Sequence, residues 1–260
     1  MKAEASKLYN YLGYNPFTDS QGRNFSDSKI SKEFYPIWRF WSLYNDHHEI
    51  LIGTRGSGKT FLLKMMIRSM IAHVENELAR KIVEDKVYFP FYVPMHMEMV
   101  AALNDERIND EKKIVLFKYI FNSLLAESII EEIIRFLDEF EKKQGMEKAL
   151  ELASQINAIW FPEENVDKLI DLYDLEVKVR QKSYNFDYIN GDIDNIPVIF
   201  RRDFAGPLLG VQILLEKLFG ASKDPMWIIC IDEAEFIPEL FQKCINSFMR
   251  SNTNRIALKI

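Results

Sequence analysis

The sequence predicts an α/β fold, a parallel-sheet core with a helical insertion, and three observations predict it. The glycine-rich loop Gly53-Thr54-Arg55-Gly56-Ser57-Gly58-Lys59-Thr60 follows directly on the apolar run Ile50 to Ile52 and leads into Phe61-Leu62-Leu63-Lys64-Met65-Met66-Ile67. A second apolar run, Trp227-Ile228-Ile229-Cys230-Ile231, ends in Asp232-Glu233. Between the two lies a long stretch in which apolar residues recur every three or four positions, the mark of amphipathic helices. The chain has 260 residues, 48% of them hydrophobic, enough for one large domain or a core domain with an insertion.

The loop needs glycine at 53, 56 and 58 for positive φ or close backbone approach. A strand before it and a helix after it aim the backbone N–H groups of residues 53 to 61 at a phosphate chain. Lys59 then reaches the β- and γ-phosphates as a point charge, and the Thr60 hydroxyl ligates Mg²⁺. The second run reads as a central parallel strand buried on both faces. Its acidic end falls where open α/β sheets bind ligands, beside the loop. There Asp232 is the expected Mg²⁺ carrier, directly or through water, and Glu233 the group that polarises the attacking water.

Along the chain, residues up to about 30 read as a short amphipathic helix followed by a polar loop at 18–22, with Asn15-Pro16-Phe17 before it. Ser31 can cap a helix from Lys32 towards Tyr44, in which Pro36 must sit in the first turn or end it. Its aromatics Phe34, Tyr35, Trp38, Phe40 and Trp41 are expected core or docking residues; an alternative is that one flanks a nucleotide base. Val87 to Pro94 predicts a strand confined to a sheet edge, because proline has no N–H for the ladder. Helices are expected from Asn109 or Asp110 to about Gly145, from Met146 to about Ile159 and from Asn165 to about Lys182, with acidic runs such as Glu131-Glu132 on solvated faces. Residues 185 to 205 read as an exposed loop. Glu235 is placed on the solvated or capping side of a turn before Pro238, Arg255 at a helix C-terminus, and His47 and His48 in a surface loop. Arg201 and Arg202 read as loop charge, or alternatively as a phosphate contact or trans-acting finger.

The division expected is an N-terminal helical extension over 1–45, a first core part over 46–108, a helical insertion and loop over 109–205, and a second core part over 206–260. A net charge of −6 gives no global basic field, so DNA binding is not supported by charge. Cys230 and Cys244 read as reduced, packed thiols, too few for a disulfide framework or a zinc site. With no apolar leader and no stretch near the roughly 18 uncharged apolar residues of a membrane span, a soluble cytoplasmic protein is expected.

Arg55 to Thr60 within the loop and the Asp232-Glu233 strand end make the chain resemble an additional-strand P-loop ATPase of the AAA+ or STAND type. More narrowly, Asn15-Pro16-Phe17, the aromatic segment before the loop, Ile52 to Lys64 and Ile231-Asp232-Glu233-Ala234-Glu235 resemble prokaryotic ATPases similar to the origin-recognition and Cdc6 proteins, several of them associated with phage defence. The resemblance covers residues 15–66 and 226–260. It implies ATP and Mg²⁺ as ligands, hydrolysis in a homo-oligomer, and action on a DNA or protein partner. A nucleotide switch of the STAND kind, or a non-hydrolysing scaffold whose helical insertion meets a protein partner, is the alternative.

Lys59 and Asp232 stand 173 positions apart, more chain than one helix and one edge strand need, so a helical insertion over about 110–183 is expected to supply a partner or lid surface. Arg255 to Ile260 reads as the next core strand. In the family a sensor residue, a further strand, an arginine finger and a helical lid come after it, so the chain is expected to be the N-terminal part of a longer ATPase. The implied strand order 5-1-4-3-2 would leave the strand before the loop as an apolar edge.

Overall fold

Met226 to Asp232 is apolar at almost every position, and such a strand must be covered on both faces. In the computed structural model, which describes residues 34, 36–54, 56–95, 103, 106, 108–140, 145–163, 171–184, 193–251 and 255–260, it is. Strand β2 (Met226–Asp232) lies between β1 (Tyr88–Pro94) and β3 (Ile256–Lys259), and both pairings are parallel. β1 is in register with β2 from Tyr88 opposite Met226 to Pro94 opposite Asp232. On the far side of β3, Glu49 forms a parallel bridge with Lys259, and the Leu51 N–H donates to the Ile260 carbonyl at 2.5 Å. Across the sheet the order is therefore 49–51, β3, β2, β1. β3 separates the segment that enters the loop from the strand that ends in Asp232, as the additional-strand reading expects. Beside β3 that entering segment leaves apolar side chains in solvent, Ile50 at 62% and Ile52 at 94% exposure.

β1 is at the edge of the described sheet, as Pro90 and Pro94 require. Its Tyr92 N–H is taken up by the Ser128 hydroxyl at 3.0 Å, so a helix covers that edge. Side chains alternate between the faces. Phe89, Phe91, Val93, Trp227, Ile229 and Ile231 meet a large core built with helices α5 (Asp110–Phe140), α6 (Gly145–Trp160), α7 (Leu172–Tyr184), α8 (Val198–Arg201), α9 (Gly206–Phe219) and α10 (Glu239–Ser251). Ile228, Cys230 and Ala257 face a smaller core with Phe34, Phe40 and Tyr44, and with α2 (Lys59–Met65), α3 (Arg68–Ile71) and α4 (Glu77–Asp85), after the short α1 (Trp38–Trp41). Thus the fold has three layers, the sheet between the loop helix on one side and the long helices on the other.

Several expectations change. Of the helix foreseen from Lys32 to Tyr44, the described residues form a single turn, Trp38–Trp41: Ile37 is extended, with ψ 156, and Pro36 precedes the turn. The helix foreseen from Asn165 begins at Leu172, where the Asp171 carboxylate accepts the Asp174 N–H at 2.7 Å. Residues 193–205 are not an exposed loop. They form a 3₁₀ turn and α8, and Ile196, Phe200, Phe204 and Ala205 are buried. The Asp and Asn content of the stretch masked this apolar spacing. Glu132 is 7% exposed, not solvated; it accepts from Ser69 Oγ at 3.0 Å and pairs with Arg135 at 2.9 Å, and burial pushes its carboxyl up to about 7. Arg255 immediately precedes β3 and pairs with Asp224 at 2.6 Å. Asn15-Pro16-Phe17, the first helix and polar loop, Ser31, Tyr35 and residues 185–192 lie outside the described residues.

Packing of α8 on α9 requires glycine at 206, where a Cβ would meet the Ile199 carbonyl oxygen at 2.0 Å. Cys230 is buried and Cys244 half-buried; both are free thiols raised by burial, Cys230 to about 12, which leaves neither as a thiolate near neutral pH. Among the described residues no helix is long and apolar enough to cross a membrane.

Candidate nucleotide site

The loop is held by backbone geometry. Gly56 and Gly58 have φ of 82° and 91°, values that cost a residue with a Cβ about 1 kcal/mol or more. A Cβ at Gly53 would lie 2.5 Å from the Ser57 hydroxyl oxygen, so that glycine permits the loop to fold back on itself. The Ser57 N–H donates to the Thr54 carbonyl at 3.1 Å, and Lys59 Nζ donates to the Gly53 carbonyl at 2.8 Å from an exposed position. Phe61 is half-buried, its ring centroid 5.4 Å from that of Phe34. Arg55 lies outside the described residues. Helix α2 is shorter than the sequence suggests: Ile67, at ψ 137, breaks it from α3.

What the sequence places 172 residues apart, the fold brings together: Thr60 Oγ1 donates to Asp232 Oδ1 at 3.2 Å. Glu233 follows in the left-handed region, φ 61°, and its N–H closes on the same Oδ1 at 3.0 Å. The turn lifts the chain out of β2 into the 3₁₀ segment Ala234–Phe236, in which Glu235 is exposed. Lys59, Asp232 and Glu233 line one cleft of about 600 Å³ with Gly53 at its rim. Its apolar wall includes Ile50, Leu51, Ile52, Ile245 and Ile260, and none of the described aromatics of the 34–41 segment lines it. Phe40 and Tyr44 are instead core residues, and the Tyr44 hydroxyl donates to the Met66 carbonyl at 2.7 Å, tying that segment to the end of the loop helix.

The residues present fit Mg²⁺. A hydroxyl and a carboxylate oxygen are hard donors, and Mg²⁺ in nucleotide sites takes one or two protein oxygens, with phosphates and water completing the shell. Among the described residues no cluster of three or more His, Cys, Asp or Glu able to hold a metal ion is found.

Three partners escape the motif reading. The Tyr92 hydroxyl donates to Asp232 Oδ2 at 2.6 Å. Lys259, fully buried, donates to Asn45 Oδ1 at 2.9 Å, the His47 carbonyl at 2.8 Å and Glu49 Oε1 at 3.0 Å. Burial lowers the Lys259 ammonium and Glu49 opposes it; burial also pushes Glu49 up, but hydrogen bonds from Asn45 and Lys259 outweigh it and hold its carboxyl low. This cluster fixes the register of the segment entering the loop. His48 is not a bystander either, since its Nδ1 accepts the Leu258 N–H at 3.0 Å; burial lowers its pKa, the backbone at Met249 opposing. Only the alternation of strand positions signals Tyr92: two residues before Pro94, the partner of Asp232, it shares the carboxylate's face.

A family model described as ORC-CDC6-like matches residues 15–260. The chain belongs to the ORC-CDC6-like family. This membership makes it an AAA+-type P-loop ATPase module, in accord with the strand order and with the cleft at Lys59 and Asp232. No curated protein and no solved structure gives a significant match to the chain. The ORC-CDC6-like match spans both halves of the cleft, the loop and the β2 terminus, and also the helices between them.

Proposed function

We propose that this ORC-CDC6-like chain binds ATP with Mg²⁺ at residues 53–61 and Asp232, and hydrolyses it in a homo-oligomer to drive a conformational change in a DNA or protein partner. The observation that carries this reading is the meeting of Thr60 with Asp232 at 3.2 Å, where Asp232 lines a cleft together with Lys59 and Glu233. Lys59 would leave the Gly53 carbonyl for the β- and γ-phosphates, with loop N–H groups around them. Mg²⁺ bound by Thr60 and Asp232 would neutralise phosphate charge. Glu233 would take a proton from water at the mouth of the cleft. The helices between 109 and 205 would present the partner surface, and antiviral defence enters this reading through the resemblance alone.

Catalysis of this kind is mostly positioning and charge neutralisation, so an arginine from a neighbouring protomer would contribute about 10³- to 10⁵-fold in rate. Turnover per protomer is therefore expected to rise steeply with protein concentration, in step with Mg·ATP-dependent assembly followed by sedimentation. A turnover independent of concentration, with nucleotide bound by a monomer, would instead favour the STAND-like switch.

A further inference from the structure

We propose that Tyr92 is a positioning residue for the metal-binding carboxylate: its hydroxyl holds one oxygen of Asp232 and so fixes the plane of the carboxylate with the other oxygen turned to Thr60. The inference rests on the nucleotide-site reading above and deepens it.

The sheet register creates the contact. Tyr92 pairs with Cys230, and Pro94 with Asp232, so Tyr92 and Asp232 are diagonal neighbours on one face. Diagonal positions are about 7–8 Å apart at Cα, within the reach of an aromatic side chain but too far for a short one. The phenol spans that gap and donates to Oδ2 at 2.6 Å.

Distances rank the three bonds that hold the carboxylate. An O–H to carboxylate bond of 2.5–2.7 Å is in the strong, charge-assisted range, and the Tyr92 contact falls there. The Thr60 contact at 3.2 Å is long for a hydroxyl donor, and the Glu233 N–H at 3.0 Å is ordinary. Both weaker bonds end on Oδ1, the oxygen that faces the loop. Among the described residues Tyr92 is the one seen on Oδ2, and its bond, the shorter of the two that remain, persists with that of the Glu233 N–H when Thr60 turns its hydroxyl proton away to offer a lone pair to a cation. Without it only the ordinary Glu233 N–H bond at 3.0 Å resists rotation of the carboxylate plane about its last bond among the described residues.

Tyr92 is itself held on two sides. Its N–H is bound by Ser128 of α5 at 3.0 Å, and Lys64 of the loop helix lies 5.5 Å from its ring centroid. The phenol is thus set by the backbone of an edge strand, by a long helix on one side and by the loop helix on the other.

Tyr92→Phe removes the oxygen and keeps the ring, its packing and the Lys64 contact. The test measures ATP affinity by calorimetry in EDTA and across a Mg²⁺ titration, with Mn²⁺ binding to the ATP complex read by electron paramagnetic resonance. Losing an outer partner of a metal ligand typically lowers metal affinity about 10- to 100-fold. The expected result is that ATP affinity in EDTA equals that of the wild type, while the Mg²⁺ and Mn²⁺ concentrations for half-saturation rise by about that factor. Unchanged metal dependence in a wild type that does bind Mg·ATP would overturn the role of Tyr92 alone. An equal loss of affinity with and without metal would also overturn it, by showing a packing role. A wild type whose ATP binding ignores Mg²⁺ would overturn the site reading itself.

Discussion

Replacing Glu233 by glutamine is expected to leave Mg·ATP bound at wild-type affinity and to lower phosphate release by the assembled protein about 10²- to 10⁴-fold, the usual size of a general-base contribution. The change keeps the shape of the side chain and the left-handed turn at φ 61°. It also leaves the backbone N–H that closes on Asp232 Oδ1 at 3.0 Å, so the metal side of the cleft is untouched. What is lost is the capacity to take a proton from water. Single-turnover phosphate release, measured beside calorimetric affinity, separates the two effects. Turnover within a factor of two of wild type would remove Glu233 from the chemistry.

Lys59→Ala acts on the other variable. In the free protein the ammonium donates to the Gly53 carbonyl at 2.8 Å from an exposed position, where water can replace it. Thermal unfolding should therefore move little. A charge-assisted hydrogen bond to an ionised group contributes about 1.5–3 kcal/mol, so ATP affinity should fall about 10- to 150-fold, with AMP, which lacks β- and γ-phosphates, much less affected. Filter binding or calorimetry with both nucleotides reads the difference. An unchanged ATP affinity would mean that the loop does not hold the phosphates.

Much of the sheet was legible in the sequence because the physics there is local. The continuous apolar run before Asp232-Glu233 has the form of a strand covered on both faces, and Pro90 and Pro94 confine β1 to an edge. Spacing alone also predicted Gly53, Gly56 and Gly58, and the structure gives each a reason: left-handed backbone at two of them, the approach of Ser57 at the third. Where the reading failed, the decisive contacts were distant in sequence. Lys259 looks like an ordinary strand-end cation until Asn45, His47 and Glu49 surround it from 210 or more residues away. Glu132 looks solvated beside Glu131, and only the packing of α3 against α5 buries it. The polar residues of 193–205 suggest a loop, whereas Ile196, Phe200 and Phe204, at spacing four, anchor the stretch. Tyr92 carries no motif; its role depends on which β1 residue shares a face with Asp232, which the pairing register alone decides.

The central claim is that nucleotide binds between the loop and the end of β2. Amide hydrogen exchange with and without Mg·ATP tests it most directly, because it reports where protection appears in the folded chain. The account predicts slowed exchange in peptides covering 56–62 and 231–235, reversed in Lys59→Ala. Protection absent from those peptides, or confined to the separate cleft lined by Lys182, Arg201 and Arg202, would contradict it.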